Sequence, residues 1–82
     1  MSTSRSRTGK IPQISDAAVV GAVVRQVRKA HGLTQSQLAG LAGTGVRFVS
    51  ELERGKPNVA LDKVLAVLAV LGLRLQAVEA EP

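Results

Sequence analysis

Residues 34–55 read TQSQLAGLAGTGVRFVSELERG, and this stretch decides the architecture. Thr34 followed by Gln37 fits the Ser/Thr-x-x-Glu/Gln capping box, in which side chain and backbone satisfy each other at a helix start. A short helix is predicted from 35 to about 42, carrying Leu38, Ala39 and Leu41, with Gly43 as its stop. Thr44 is read as the cap of a second helix over 45–54, whose Val49 and Leu52 sit three apart on one face. Gly55 ends that helix, and Lys56-Pro57-Asn58 forms a turn.

The residues between the two helices constrain how they meet. Ala39 is small, as it must be where two helix backbones approach closely, and Gly43 can take the positive φ of a tight turn. Val49 fills the angle from the second helix. Small residue, glycine and plug at offsets of four and six define a helix-turn-helix.

Outward from this centre, Ser15 or Asp16 can cap a preceding helix. Its Val20, Val23, Val24 and Val27 are apolar at helical spacing, while Arg25, Arg28 and Lys29 face elsewhere and Gly32 ends it. Valine is a poor helix former, so this helix depends on packing. After the turn a fourth helix is expected from about 60 to 71, with Leu61, Val64, Leu65, Leu68 and Leu71 inward. Val67 and Val70 lie off that stripe, and a helix apolar over so much of its circumference suggests a second subunit against it. Gly72 ends the helix. Residues 73–79, LRLQAVE, alternate partly at period two and read as a short strand. A lone strand leaves backbone groups unpaired, so pairing with its twin across a dimer axis is one reading and a frayed tail the other.

The whole chain agrees with these parts. Its 82 residues make one domain at most, and 45% are hydrophobic, nearly all Val, Leu and Ala, with one Phe and no Trp or Tyr. A core of such small side chains is marginal for a monomer. The division expected is a flexible basic arm at 1–13 (Arg5, Arg7, Lys10, no acid), a domain at 14–72 and a dimerisation strand and tail at 73–82. Eleven Lys and Arg against six Asp and Glu give a formal net charge of +5, which favours encounter with polyanions. Cysteine is absent, which removes disulfides and thiolate chemistry. His31, the sole histidine, sits at a helix C-terminus, where its charged form suits the dipole; no metal site and no cofactor are expected. Glu51 and Glu53 are too close along one helix to face each other, so no catalytic constellation is present and no enzyme is expected. Without a signal peptide or membrane span, a cytoplasmic protein is the expectation.

The run GLTQSQLAGLAGTGVRFVSELERGKPN resembles the Xre-type helix-turn-helix that includes the lambdoid phage repressors, over residues 20–71. The resemblance implies an all-α, lambda-repressor-like domain of four to five helices that binds double-stranded operator DNA. The ending LGLRLQAVE is similar to that of HipB-like antitoxins, in which a C-terminal strand pairs between subunits. By that resemblance the chain would be a homodimer that represses its own operon and neutralises a HipA-like kinase toxin. Leu73, Leu75, Ala77, Val67 and Val70 would then line the dimer interface. Two other readings stay open: a solitary Xre-type regulator without a toxin, and an interaction adaptor that keeps the fold and binds no DNA.

In such folds the second helix of the motif enters the major groove. Positions matching its base-contacting face are Gly45, Val46, Arg47 and Ser50, with Glu51 beside them. Arg47 stands first, because its fork can bridge guanine O6 and N7. Gly45 and Val46 depart from the polar residues common there. Val46 can touch only a thymine methyl. Gln35 has a place in the family against phosphate, and Thr44, Arg54 and Lys56 are further candidates for backbone contacts. The resemblance also implies that Arg28 and Glu53 form a structural ion pair between the first and third helices. Phe48 is expected to pack against neighbouring helices rather than stack on a nucleotide.

Overall fold

A computed structural model of the chain describes residues 16–79; the arm expected at 1–13 lies outside them. Among the described residues four helices follow one another: α1 (Ala17–Ala30), α2 (Gln35–Ala42), α3 (Val46–Glu53) and α4 (Leu61–Val70). The starts of α1 and α2 have a side-chain cap. The Asp16 carboxylate accepts from the Val19 N–H at 3.0 Å, and Arg28 and Lys29 occupy the last turn, where cations suit the dipole. At α2 the capping box is complete: Thr34 Oγ1 accepts from Gln37 N–H at 3.0 Å, and Gln37 Oε1 accepts from Thr34 N–H at 2.9 Å.

Between α2 and α3 the chain reverses at Gly43, whose φ is +70°. Thr44 N–H donates to Ala39 carbonyl at 2.9 Å, which closes the end of α2 in the pattern of a left-handed C-terminal cap. That use of Thr44 corrects one expectation. The cap of α3 is Gly45, with no side-chain hydrogen bond, and the Thr44 hydroxyl is covered and unpaired.

The core is built where the helices cross. Val24, Leu38, Val49, Leu52 and Val67 are its largest fully buried side chains, with Ala39 among them. Contacts run between α2 and α3, α2 and α4, and α1 and α3. The last of these needs Gly21. A Cβ built at Gly21 runs into the Leu52 carbonyl oxygen and comes within 2.9 Å of that of Glu53, so only glycine admits the close approach of α1 to the end of α3.

The buried stripe of α4 differs from the one expected. Val64, Val67, Leu68 and Leu71 are buried, while Leu61 and Leu65 are 60% and 43% exposed. Both stripes have helical spacing; the one chosen is the one that meets α2. Val67, fully buried, is therefore a core residue and not part of a subunit interface. Val70 is half-buried against the same core.

Beyond α4, Gly72 takes φ +73° and Leu73 N–H donates to Leu68 carbonyl at 2.8 Å, so the first residue of the expected strand caps the helix instead. No strand forms among the described residues, because the single chain offers 73–79 no second strand to pair with. Leu73 packs on the core, and Leu75 lines an apolar groove together with Ala17, Val20, Pro57, Val59 and Leu61. Among the described residues no helix is long and apolar enough to cross a membrane, and no three His, Cys, Asp or Glu side chains gather as a metal site.

Two glycines inside helices should respond oppositely to the same substitution. Gly21→Ala should lower unfolding free energy by about 3 kcal/mol, the upper end for overpacking against backbone. Gly40→Ala, whose Cβ meets nothing within 4 Å, should raise it by roughly 0.5–1 kcal/mol through helix propensity. Urea denaturation followed by circular dichroism measures both.

Candidate nucleic-acid interface

The candidate site is the outward face of α3, and its geometry begins with what holds the inward face. Val49 and Leu52 are buried, three residues apart, so positions 46, 47, 50 and 51 are turned away from the core. Glu53, at the end of the helix, is fixed from behind. Arg28 Nε and Nη2 donate to its two carboxylate oxygens at 2.6 and 2.9 Å, and Arg28 Nη1 donates to the Leu33 carbonyl at 2.8 Å. The side chains of Arg28 and Glu53 are only 10% and 3% exposed. Burial raises the Glu53 pKa, but hydrogen bonds from Arg28 and Gln35 outweigh it and hold the carboxyl below its ordinary value. The hydrogen bond to Glu53 likewise holds Arg28 above its own, against the effect of burial.

Arg47 projects from the first turn of α3 with 90% of its side chain exposed. Gly45 and Val46 are exposed beside it, and Ser50 and Glu51 lie half-buried one turn on. These side chains touch one another. Arg47 Nε lies 3.4 Å from Glu51 Oε2, and Lys56 Nζ lies 3.2 Å from Glu51 Oε1. The hydrogen bond from Lys56, with the charges of Lys56 and Arg47, holds the Glu51 carboxyl below its ordinary value against a smaller effect of burial. Arg54 Nη1 donates to Ser50 Oγ at 2.6 Å. The Ser50 hydroxyl proton stays available to an acceptor outside the protein.

The residues expected against phosphate fall into two groups. Arg54 and Lys56 are exposed at the C-terminal end of α3. Gln35 is half-buried with its side-chain amide donating to Glu53 Oε1 at 3.1 Å, and Thr44 has its hydroxyl covered. In this conformation Gln35 Nε2 commits one of its two N–H groups to Glu53, and the covered Thr44 Oγ1 is turned away from any phosphate. One cation escaped the sequence reading. Lys63, on α4, carries its ammonium 5.8 Å from the centre of the Phe48 ring, and Phe48 is half-buried on the core from α3. The pair is fifteen residues apart in sequence, so no local pattern signals it. What the arrangement offers is a helix face of hydrogen-bonding and charged groups on a packed back.

Comparison with known proteins gives the same architecture. Residues 24–78 match the helix-turn-helix family HTH_3. An HTH-type transcriptional regulator of Sinorhizobium fredii, y4mF, is 52% identical over 60 residues, which cover 73% of this chain and 79% of that protein. The immunity repressor protein of Bacillus phage phi105 is 34% identical over 62 residues, 76% of this chain but only 43% of the repressor. Among solved structures, the HipB–O4 20mer complex and the MDT protein each superpose with a TM-score of 0.77 at 26% identity, covering 85% of this chain and 99% of theirs. A HipA–HipB–O2–O3 complex superposes with the same TM-score at 24% identity, a likeness of fold.

The depressed pKa of Glu53 sets an acid limit. Its contribution to stability is complete above the ordinary carboxylate value of about 4.3 and is lost as pH falls through the lower folded-state value. Glu53→Gln should cost about 3 kcal/mol at neutral pH by leaving Arg28 facing a neutral partner. It should also flatten the fall in melting temperature below pH ~4. Thermal melts of both proteins across pH 2–7 check the size and the sign.

Proposed function

We propose, from the premise that this chain belongs to the helix-turn-helix family HTH_3 and is an Xre-type regulator, that it is a sequence-specific operator-binding repressor. The observation that carries this reading is Arg47 standing almost fully exposed on the first turn of a helix whose opposite face is locked into the core. A helix so mounted can enter a major groove, where the Arg47 fork meets guanine O6 and N7. Val46 would face a thymine methyl and Ser50 a base edge or phosphate, while Arg54, Lys56 and a reoriented Gln35 would position the backbone. The reading makes the protein a cytoplasmic binding protein and not an enzyme.

Its finer form is an antitoxin. Likeness to HipB over nearly the whole of that chain supports a homodimer that represses its own operon and neutralises a HipA-like kinase toxin. Dimerisation would draw on Leu75 and Ala77 of the tail together with the exposed Leu61, Leu65 and Val78. The second reading is a solitary Xre-type regulator with no toxin; y4mF, at higher identity, is an HTH-type transcriptional regulator and fits either. Co-purification of a kinase-like partner from cells separates the two.

Selection from a randomised duplex library tests the DNA reading. The selected sequence should be two-fold symmetric, with half-site centres about 34 Å apart or a multiple of it. Arg47→Ala should weaken binding to that sequence by roughly 1–3 kcal/mol and leave binding to random duplex nearly unchanged. Equal loss on both would make Arg47 a phosphate contact, and no enrichment at all would end the repressor reading.

A further inference from the structure

On the DNA-binding face just described, one residue has the wrong sign for a polyanion. Glu51 lies within that face between Arg47 and Lys56, in contact with both cations. It is 23% exposed, so its carboxylate is neither buried for stability nor remote from an approaching duplex. Resting on the DNA-binding reading, we propose that Glu51 is a second specificity-determining residue of α3 beside Arg47, which discriminates by suppressing binding to the wrong sequence.

The argument is electrostatic competition. On random DNA the affinity comes from cations neutralising phosphates, with release of counterions. Arg47 and Lys56 can do this fully only by leaving Glu51, and a bare Glu51 carboxylate is then repelled by the same phosphates. One negative charge thus holds down the contribution of two positive ones. At a matching site the balance reverses. Arg47 spans guanine O6 and N7, a two-bond contact that a single phosphate does not offer, and Glu51 accepts from the N4 amino group of a neighbouring cytosine. The carboxylate loses two exposed, weak ion pairs and gains a directed hydrogen bond that only cytosine supplies. The spacing suits the task, since residues four apart on a helix project side by side.

Arg54 and Ser50 supply an internal contrast. Their bond joins a cation to a neutral hydroxyl, so Arg54 stays free in charge and can bind phosphate on any sequence. The face therefore carries one unrestrained cation for general affinity and two restrained ones for discrimination.

Glu51→Gln keeps the shape and removes the charge. Anisotropy titrations with a random-sequence duplex and with a duplex selected from a randomised library would compare it with the wild type. Affinity for the random duplex should rise about five-fold, the factor that one charge at about 4 Å is worth in water. The logarithmic salt slope on random DNA should steepen by roughly 0.9 for each phosphate newly engaged. Affinity for the selected duplex should fall or stay level, so the ratio of the two affinities shrinks. The double variant Arg47→Ala/Glu51→Gln should return random-duplex affinity towards the wild-type value. An unchanged random-duplex affinity in Glu51→Gln, or an equal rise on both duplexes, overturns the role of Glu51 while leaving the DNA reading intact. A wild type that binds neither duplex overturns both. Circular dichroism of each variant confirms that the fold is retained.

Discussion

Everything in the molecule that concerns function depends on the fork of Arg28 closing on Glu53. The pair ties the last turn of α1 to the last residue of α3, the helix that carries the candidate site, and the same guanidinium also holds the Leu33 carbonyl in the link to α2. Three segments are thereby fixed by one side chain. Gly21 makes the arrangement possible, because without a Cβ the backbone of α1 lies directly against the terminal carbonyls of α3. Taking two charges out of water is costly, and the satisfied geometry compensates for that cost. The pair, together with the buried Val49 and Leu52, orients α3 so that positions 46, 47, 50 and 51 face outward.

A helix of eight residues held at both ends behaves as a mount. At its start the Gly43 turn and the capped end of α2 set the position of Val46; at its end Glu53 is anchored; between them Val49 and Leu52 are buried. Arg47, Ser50 and Glu51 take no part in the core and keep their charge and hydrogen-bonding capacity, while Phe48 packs against it. They are also already in contact: Arg47 and Lys56 with Glu51, and Arg54 with Ser50. A basic protein with this face is therefore less indiscriminately basic than its net charge of +5 suggests. Glu53 reaches the same region through Gln35, so the structural pair and the surface of α2 share one carboxylate.

Much of this was legible in the sequence, for local reasons. Capping chemistry at Asp16 and Thr34 and the glycine stops at Gly32, Gly43, Gly55 and Gly72 act within a few residues of where they are read, and all four glycines have positive φ. Where reading failed, the deciding contact was distant. The stripe of α4 could not be chosen between Leu61/Leu65 and Val64/Val67 because the helix is apolar nearly all round; only the position of α2 selects it. Gly21 sits in a run of valines and alanines and gives no local sign that a carbonyl thirty residues away needs its space. Thr44 has the chemistry of a cap, yet its amide is drawn into closing α2 and its hydroxyl is enclosed, so Gly45 takes its place. The Lys63–Phe48 contact crosses from α4 to α3 and leaves no periodic trace.

On the DNA-binding reading, the mounted outer face of α3 is the surface that meets DNA. Backbone amide shifts of isotopically labelled protein, followed by NMR during titration with a selected duplex, test it most directly. The largest changes should fall on residues 45–51, with smaller ones at 35 and 54–56, while the buried positions of α4 stay still. Changes concentrated on the opposite side, along Leu61, Leu65 and the tail, with 45–51 unmoved, would contradict it.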